Sequence, residues 1–197
     1  SPCETYEVVK VQRDKLEKEE HKMVNKMQQE QSEFDNRVID LQQGVIGFTV
    51  HTDINNYEEV AQKAEAIWAE LQESTQLAKM FNNREALTGN EETSYDNITQ
   101  MTKDYEPFYA LWTTTDLWKN KHKSWLHDDF ELLDAFEMEE IVDNSDKTMN
   151  KCIRQLKDKE VPQIKKIAET VKESVIEYKQ YVAMGMALRT EGMKDRH

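Results

Sequence analysis

The sequence predicts an all-α protein: an elongated array of about five long helices, packed as an antiparallel helical bundle with a coiled-coil-like stem. Three observations lead there. Among 197 residues only 5 are Gly and 3 are Pro, so punctuation is sparse and helices run long. Apolar residues recur at three- and four-residue intervals along most of the chain. β-Branched runs bounded by turn residues are missing, apart from Val45-Ile46-Gly47-Phe48-Thr49-Val50. Charged residues make up 33% and mean hydropathy is -0.88, which favours extension over a compact globule.

The first helix is expected from Glu4 to about Gly44, with apolar residues at Val9, Leu16, Met23, Met27, Phe34, Val38 and Leu41. Sevens, fours and threes separate them, the spacing of a heptad stripe. Its first half offers one apolar residue per heptad, too thin a seam to bury much surface at about 25 cal/mol per Å². The first turns therefore read as exposed or frayed in isolation, and open to a partner. Gly44 and Gly47 are expected to end the helix and open a loop containing His51.

A second helix is expected near Asn56, with Glu59 completing a capping box. Val60, Ala64, Ile67, Trp68, Leu71, Ala78 and Phe81 line one face, and the helix stops at Asn82-Asn83 or a few residues later. Thr88-Gly89-Asn90-Glu91-Glu92-Thr93 is a polar connector and the clearest break in the chain. The third helix is expected from Thr93 or Ser94, presenting Ile98, Met101, Tyr105, Phe108, Trp112, Thr115, Trp118, His122 and Trp125. Pro107 lies inside it without an N–H, so a kink or a restart is expected there.

Asp134 and Glu137 form a second capping pair for a fourth helix with the stripe Met138, Ile141, Ser145, Met149, Cys152 and Leu156. Pro162 sits at the first position of the fifth helix, where a missing N–H costs nothing. Ile164, Ile167, Val171, Val175, Tyr178 and Val182 form its buried face, and Gly192 is expected to stop it. No internal repeat of 20–50 residues stands out, so a solenoid is not indicated.

Charge and composition narrow the function. A net charge of -13 opposes nucleic-acid binding, which needs a positive surface to release counterions, and opposes binding to an anionic membrane. It permits docking on a basic partner. Cys3 and Cys152 are too few for a disulfide framework and point to a reducing compartment. With no signal peptide and no apolar run of membrane-spanning length, the chain reads as soluble and intracellular. The sequon Asn97-Ile98-Thr99 then carries no glycan.

Chemistry is scarce. A phosphate-cradling loop needs clustered glycines ahead of Lys and a hydroxyl residue. Gly44, Gly47, Gly89, Gly185 and Gly192 are scattered, so no nucleotide or other cofactor is expected. His122, His127, Asp128 and Asp129 are the nearest approach to a metal cluster, but an i, i+4 His pair is absent. An ordinary helix end with exposed carboxylates is the favoured reading. Asp143-Asn144-Ser145-Asp146 alternates too poorly for calcium. Cys152 lies on an apolar stripe, which favours a buried structural thiol over a nucleophile. Cys3 is expected to be exposed. The pair Glu139-Glu140 reads as solvated surface among 39 acidic residues.

The residues singled out as structural core or partner anchors are Trp68, Tyr105, Phe108, Trp112, Trp118, Trp125, Met149, Ile167, Val171 and Tyr178. Aromatics bury large areas between helices, so core is favoured for the three tryptophans of the third helix. An anchor facing a partner is the alternative. Lys119, Lys121 and Lys123 are too isolated to make those aromatics a nucleic-acid platform.

Several words in this stretch resemble the dynein heavy chain family, in the segment just upstream of and entering its linker. They are Arg84-Glu85-Ala86-Leu87; Tyr105-Glu106-Pro107-Phe108-Tyr109-Ala110-Leu111-Trp112; Ser124-Trp125-Leu126; Leu133-Asp134 with Met138-Glu139; Lys151 to Asp158 followed by Ile167-Ala168; and Ala187-Leu188-Arg189 before Gly192-Met193-Lys194-Asp195-Arg196-His197. The likeness covers residues 84–197, whereas residues 1–83 agree only as charged helices. Ala110-Leu111-Trp112-Thr113-Thr114 is most similar to axonemal heavy chains of the inner-arm type. The sequence stops before a Trp that usually follows, which reads as an engineered boundary. Ala183 and Thr190-Glu191 stand where the family usually has prolines, so the last helix is expected to run on more smoothly.

The resemblance implies stem helices over residues 1–90 and a helical bundle at the start of the dynein linker over 91–197. It implies a non-catalytic role: conveying the ATP-driven stroke of the AAA+ ring to the tail in ciliary or flagellar motility. The implied partners are the remainder of the heavy chain (AAA+ ring and tail), with a cytoskeletal, axonemal location. Bending is expected at 88–94 or at Pro107. The alternative is an interaction module whose exposed first helix recruits a dynein light or intermediate chain, or a second heavy chain.

Overall fold

The structure, a computed structural model, describes residues 1–194, with the side chains of Phe130 and of residues 185–194 outside that description. Among the described residues it is all-α and contains no strand. Five helices follow in order: α1 (Pro2–Gly47), α2 (Tyr57–Leu87), α3 (Asp96–His127), α4 (Ala135–Leu156) and α5 (Pro162–Lys194). Short 3-10 turns stand at Phe48–Val50, Ile54–Asn56 and Phe130–Leu132.

Neighbours in sequence are antiparallel neighbours in space, as short connections dictate. Residue pairs fix the register. Arg37 meets Glu73 and Arg84 meets Glu30 across α1 and α2. Trp68 stacks on Tyr109 across α2 and α3, and Lys121 meets Glu137 across α3 and α4. Lys179 meets Asp143 across α4 and α5. The α3 helix is the shared element: α2 covers one side, while α4 and α5 cover its other side. One continuous buried cluster runs from Phe34 of α1 through α2, α3 and α4 to Val175 of α5.

The first helix begins at Pro2, earlier than expected, and passes through Gly44 before ending at Gly47. Residues 1–26 are all exposed, Met27 is half-buried, and full burial starts at Phe34. The thin half of the stripe is thus helical and solvent-facing all round. Over 46 residues a straight helix spans about 69 Å.

Four local expectations are corrected. Asn56 makes no side-chain cap bond and Glu59 turns to Lys63 at 2.8 Å. A 3-10 turn precedes α2, so capping moves upstream to Asp53, whose carboxylate accepts from the Asn55 N–H at 2.9 Å. The third helix starts at Asp96, because Thr93 is claimed by Glu85 (below). Its backbone runs from Asp96 to His127 with Pro107 inside and no restart; packing on both sides offsets the one missing backbone bond. At α4, Asp134 caps as expected, accepting from the Phe136 and Glu137 N–H groups at 3.0 and 3.3 Å. Glu137 does not return the cap and instead accepts from Lys121 Nζ at 2.9 Å.

Gly192 does not stop α5, which continues to Lys194. A single glycine costs a helix interior only about 1 kcal/mol relative to Ala. With Ala183 and Thr190-Glu191 in place of prolines, nothing else interrupts it. The final Asp195-Arg196-His197 of the family-like word lies outside the described residues.

Two connectors are built differently. After α2, Thr88 is followed by Gly89 at φ 72°. The Gly89 N–H donates to the Ala86 carbonyl at 3.2 Å and the Asn90 N–H to the Glu85 carbonyl at 2.9 Å. That is a Schellman stop, for which a left-handed residue is required and glycine is cheapest. After α4, the left-handed position falls on Glu160, at φ 54°, where a side chain costs about 1–2 kcal/mol.

Candidate functional site

The residues of interest line α3 and the faces that meet it. Helical periodicity puts Ile98, Met101, Tyr105, Phe108, Trp112, Thr115, Trp118 and Trp125 on buried positions, together with Leu111. Three clusters of rings result.

At the α1 end, Phe34 packs on Phe81 at 5.2 Å and on Tyr95 at 5.5 Å between ring centroids. In the middle, Trp68 is half-buried and stacks on Tyr109 at 4.6 Å with planes 8° apart. Beside them Tyr105, fully buried, meets Phe48 edge-on at 5.3 Å. Its hydroxyl donates to the Ala64 carbonyl at 3.0 Å, and burial pushes its pKa up. At the α5 end, Trp118, Trp125 and Tyr178 gather. Trp125 stacks on Tyr178 at 5.5 Å, and Trp118 meets both edge-on. The Trp118 indole N–H donates to Ser174 Oγ at 3.1 Å, so α3 and α5 are tied by a polar bond inside an aromatic seam.

Phe108, Trp112, Met149, Ile167 and Val171 are buried in the continuous core. The Trp112 indole N–H has no partner. Tyr178 is half-buried. The ten candidates therefore fall into two ring clusters and the core between them, and they do not converge on one point.

His122 stacks on Trp118 at 5.2 Å and meets Tyr178 at 4.9 Å, and burial pushes its imidazole pKa down. Asp128 accepts from Ser124 Oγ at 2.8 Å. Among the described residues no group of three or more His, Cys, Asp or Glu is placed to hold a metal ion. Cys152 is buried, its S–H reaching the Pro107 carbonyl at 3.6 Å, and burial pushes the thiol up to about 12. Cys3 is exposed.

Sequence reasoning did not single out the polar knot at the α2–α3 corner. Glu85 accepts from Thr93 Oγ1 at 2.6 Å and from the Thr93 N–H at 2.7 Å. Gln31 of α1 donates to Glu85 at 3.4 Å and to the Tyr95 hydroxyl at 3.3 Å. These bonds hold the Glu85 carboxyl below its usual pKa. An eight-residue gap across a loop has no periodic signature. Tyr109 could have been found, since it follows Tyr105 by one helical turn.

The described side chains define a helical scaffold whose buried aromatic groups are spent on packing. No helix among the described residues is long and apolar enough to cross a membrane. The family model described as "Dynein heavy chain, N-terminal region 2" matches residues 98–197. Dynein axonemal heavy chain 1 of Mus musculus is 34% identical over 168 residues, 85% of this chain. Its Homo sapiens counterpart is 33% identical over the same length, and dynein axonemal heavy chain 3 of Homo sapiens is 32% identical over 119 residues, 60% of this chain. No solved structure matches. The chain belongs to the dynein heavy chain family and corresponds to part of its N-terminal region. It spans about 4% of the length of the heavy chain 1 relatives and 3% of the heavy chain 3 relative.

Proposed function

We propose that this chain is a non-catalytic strut of an axonemal dynein heavy chain, running from distal stem to the first linker helices. Residues 1–90 supply stem helices and 91–197 the bundle that opens the linker. Its work is to convey motion from the ATP-driven AAA+ ring to the tail, in the microtubule-based movement of a cilium or flagellum. The remainder of the heavy chain is its first partner.

The observation that carries this reading is the splinted α3 helix. Its buried face is held by α2 on one side and by α4 and α5 on the other. A load applied at α1 reaches α5 through interdigitated side chains rather than through loops, and close-packed interiors transmit strain because they are scarcely compressible. The Glu85 knot supports a stiff corner at 88–94 rather than the bend its polar composition suggests. Bending then falls on the α3–α4 connector, where Leu126, Leu132 and Phe136 are all exposed.

The test is made in the full heavy chain. Trp118→Ala should leave ATP turnover within about twofold while microtubule gliding slows several-fold, because chemistry and lever are separate parts. Equal loss of both, or ATP hydrolysis by the isolated chain, contradicts the proposal.

A second reading rests on the exposure of residues 1–26. Tyr6, Val9, Leu16 and Met23 are 72%, 48%, 65% and 65% exposed on a helix with no local cover. This favours a role for α1 in recruiting a light or intermediate chain, or a second heavy chain.

A further inference from the structure

A hydroxyl group is open to phosphoryl transfer when its backbone can lie extended in a kinase cleft, and the charges flanking it select the kinase. Seven hydroxyl residues of the chain have a carboxylate three positions on: Ser1, Ser32, Thr88, Thr93, Thr113, Thr170 and Ser174. Ser32, Thr113, Thr170 and Ser174 lie inside helices, Ser1 caps α1 and Thr88 caps α2. Thr93 alone of the seven stands on backbone without regular structure, in the stretch 90–95 before α3 opens at Asp96.

Thr93 is exposed, and so are Glu91, Glu92 and Asp96 around it. Among the described residues no hydrogen bond or ion pair engages any of these three carboxylates. A basic substrate cleft therefore reads acid just before Thr93 and three positions after it without first breaking a contact. The neighbouring hydroxyl, Ser94, has Asn97 three positions on instead. The Thr93 hydroxyl donates to Glu85 at 2.6 Å and accepts from Gln31 at 3.5 Å. Both bonds face water, which replaces them when the loop opens.

We propose that Thr93 is a phosphoacceptor for an acidic-directed protein kinase, and that its phosphate unlocks the α2–α3 corner. In the transfer, the γ-phosphorus of ATP bonds to Thr93 Oγ1 as its bond to the bridging oxygen breaks. ADP leaves with that oxygen, and the hydroxyl proton passes to a carboxylate of the kinase. The product has lost the donor that stood 2.6 Å from Glu85 and carries a charge of about -1.5 to -2 in its place. The cation nearest to Glu85 in sequence, Arg84, is spent on Glu30 at 2.7 Å. The α3 N-terminus attracts a phosphate, but with about half a charge spread over its first turn, where Asp96 already lies. Direct contact with the Glu85 carboxylate outweighs that attraction, so the two anions part. The Gln31 bonds that tie α1 to the corner go with them. This inference stands on the geometry of the corner and does not depend on the strut reading.

The experiment treats the 197-residue chain with ATP and casein kinase II, an acidic-directed enzyme, beside the basic-directed protein kinase A. Mass spectrometry should place the first phosphate on Thr93, about 10-fold faster with the acidic-directed enzyme, and Asp96→Asn should slow it about 10-fold. Hydrogen exchange followed by NMR then reads the lock. The Thr93 amide, which donates to Glu85 at 2.7 Å, should exchange about 10-fold faster once Thr93 is phosphorylated. In Glu85→Gln, which keeps an acceptor and removes the charge, phosphorylation should change that rate less than about twofold. No phosphate on Thr93, a first phosphate on another hydroxyl, or equal action by both kinases overturns the site. An unchanged Thr93 rate in the phosphorylated wild type, or the same acceleration in Glu85→Gln, overturns the unlocking.

Discussion

The first half of α1 and the whole of α3 are both long, unbroken helices, yet they are helical for different reasons. Residues 4–30 are dense in Lys, Glu and Gln, good helix formers with opportunities for i,i+4 pairing. They bury nothing. The α3 helix is built from poorer formers, with Thr at 113, 114 and 115, three Trp, and Pro107 within. It holds because its face is packed on two sides. One helix stands on local propensity, the other on burial, and their stabilities should differ accordingly.

The largest effect should come from α3. Trp118→Ala removes a side chain 1% exposed together with the bond to Ser174, and should lower the unfolding free energy by about 3–5 kcal/mol. Urea denaturation followed by circular dichroism measures it; a loss below about 1 kcal/mol would mean the seam is dispensable. Next is Tyr105→Phe, which deletes the hydroxyl donating to the Ala64 carbonyl. The helix partner of that carbonyl survives, so about 1 kcal/mol is expected.

Smaller again is the acid sensitivity of the corner. Hydrogen bonds from Thr93 hold the Glu85 carboxyl below the usual carboxylate range. A depressed carboxylate stabilises the fold above its unfolded pKa, and that contribution disappears as pH falls through the lower, folded value. The difference in Tm between wild type and Glu85→Gln should therefore be present at pH 7 and close on acidification below 4.5. A difference that persists at pH 2.5 would show that the carboxylate is not its source.

The smallest effect sharpens the contrast from the other side. Deleting residues 1–26 removes no buried side chain and should leave Tm within about 2 °C. In the intact chain, amides of that segment should exchange with solvent orders of magnitude faster than those of residues 98–118. Equal protection would mean that α1 is covered along its whole length, contrary to its exposure.

Helix number, order and buried stripes were readable because 3.6-residue periodicity is strong from Phe34 to Val182. The stripe of α3 could be written down residue by residue. Helix ends were less legible. Asn56 and Glu59 have the right spacing for a cap, yet a 3-10 turn displaced them, and no spacing rule anticipates that turn. Glu137 fits a capping box equally well, but Lys121 arrives from α3 and takes its carboxylate. A tertiary partner overrode local chemistry at Glu137, whereas at Glu59 the winner was itself local, Lys63 one turn on.

One consequence follows from the meeting of Cys152 with Pro107. Pro107 leaves the Lys103 carbonyl of α3 without its backbone donor, and one turn further on the thiol of α4 donates to the Pro107 carbonyl itself. Sealed at about 12, the sulfur should resist alkylation at pH 8 while Cys3 is modified at once. Whatever slow labelling Cys152 does show then measures how often the two helices part, making it a natural stopwatch for breathing where α4 packs on Pro107 of α3.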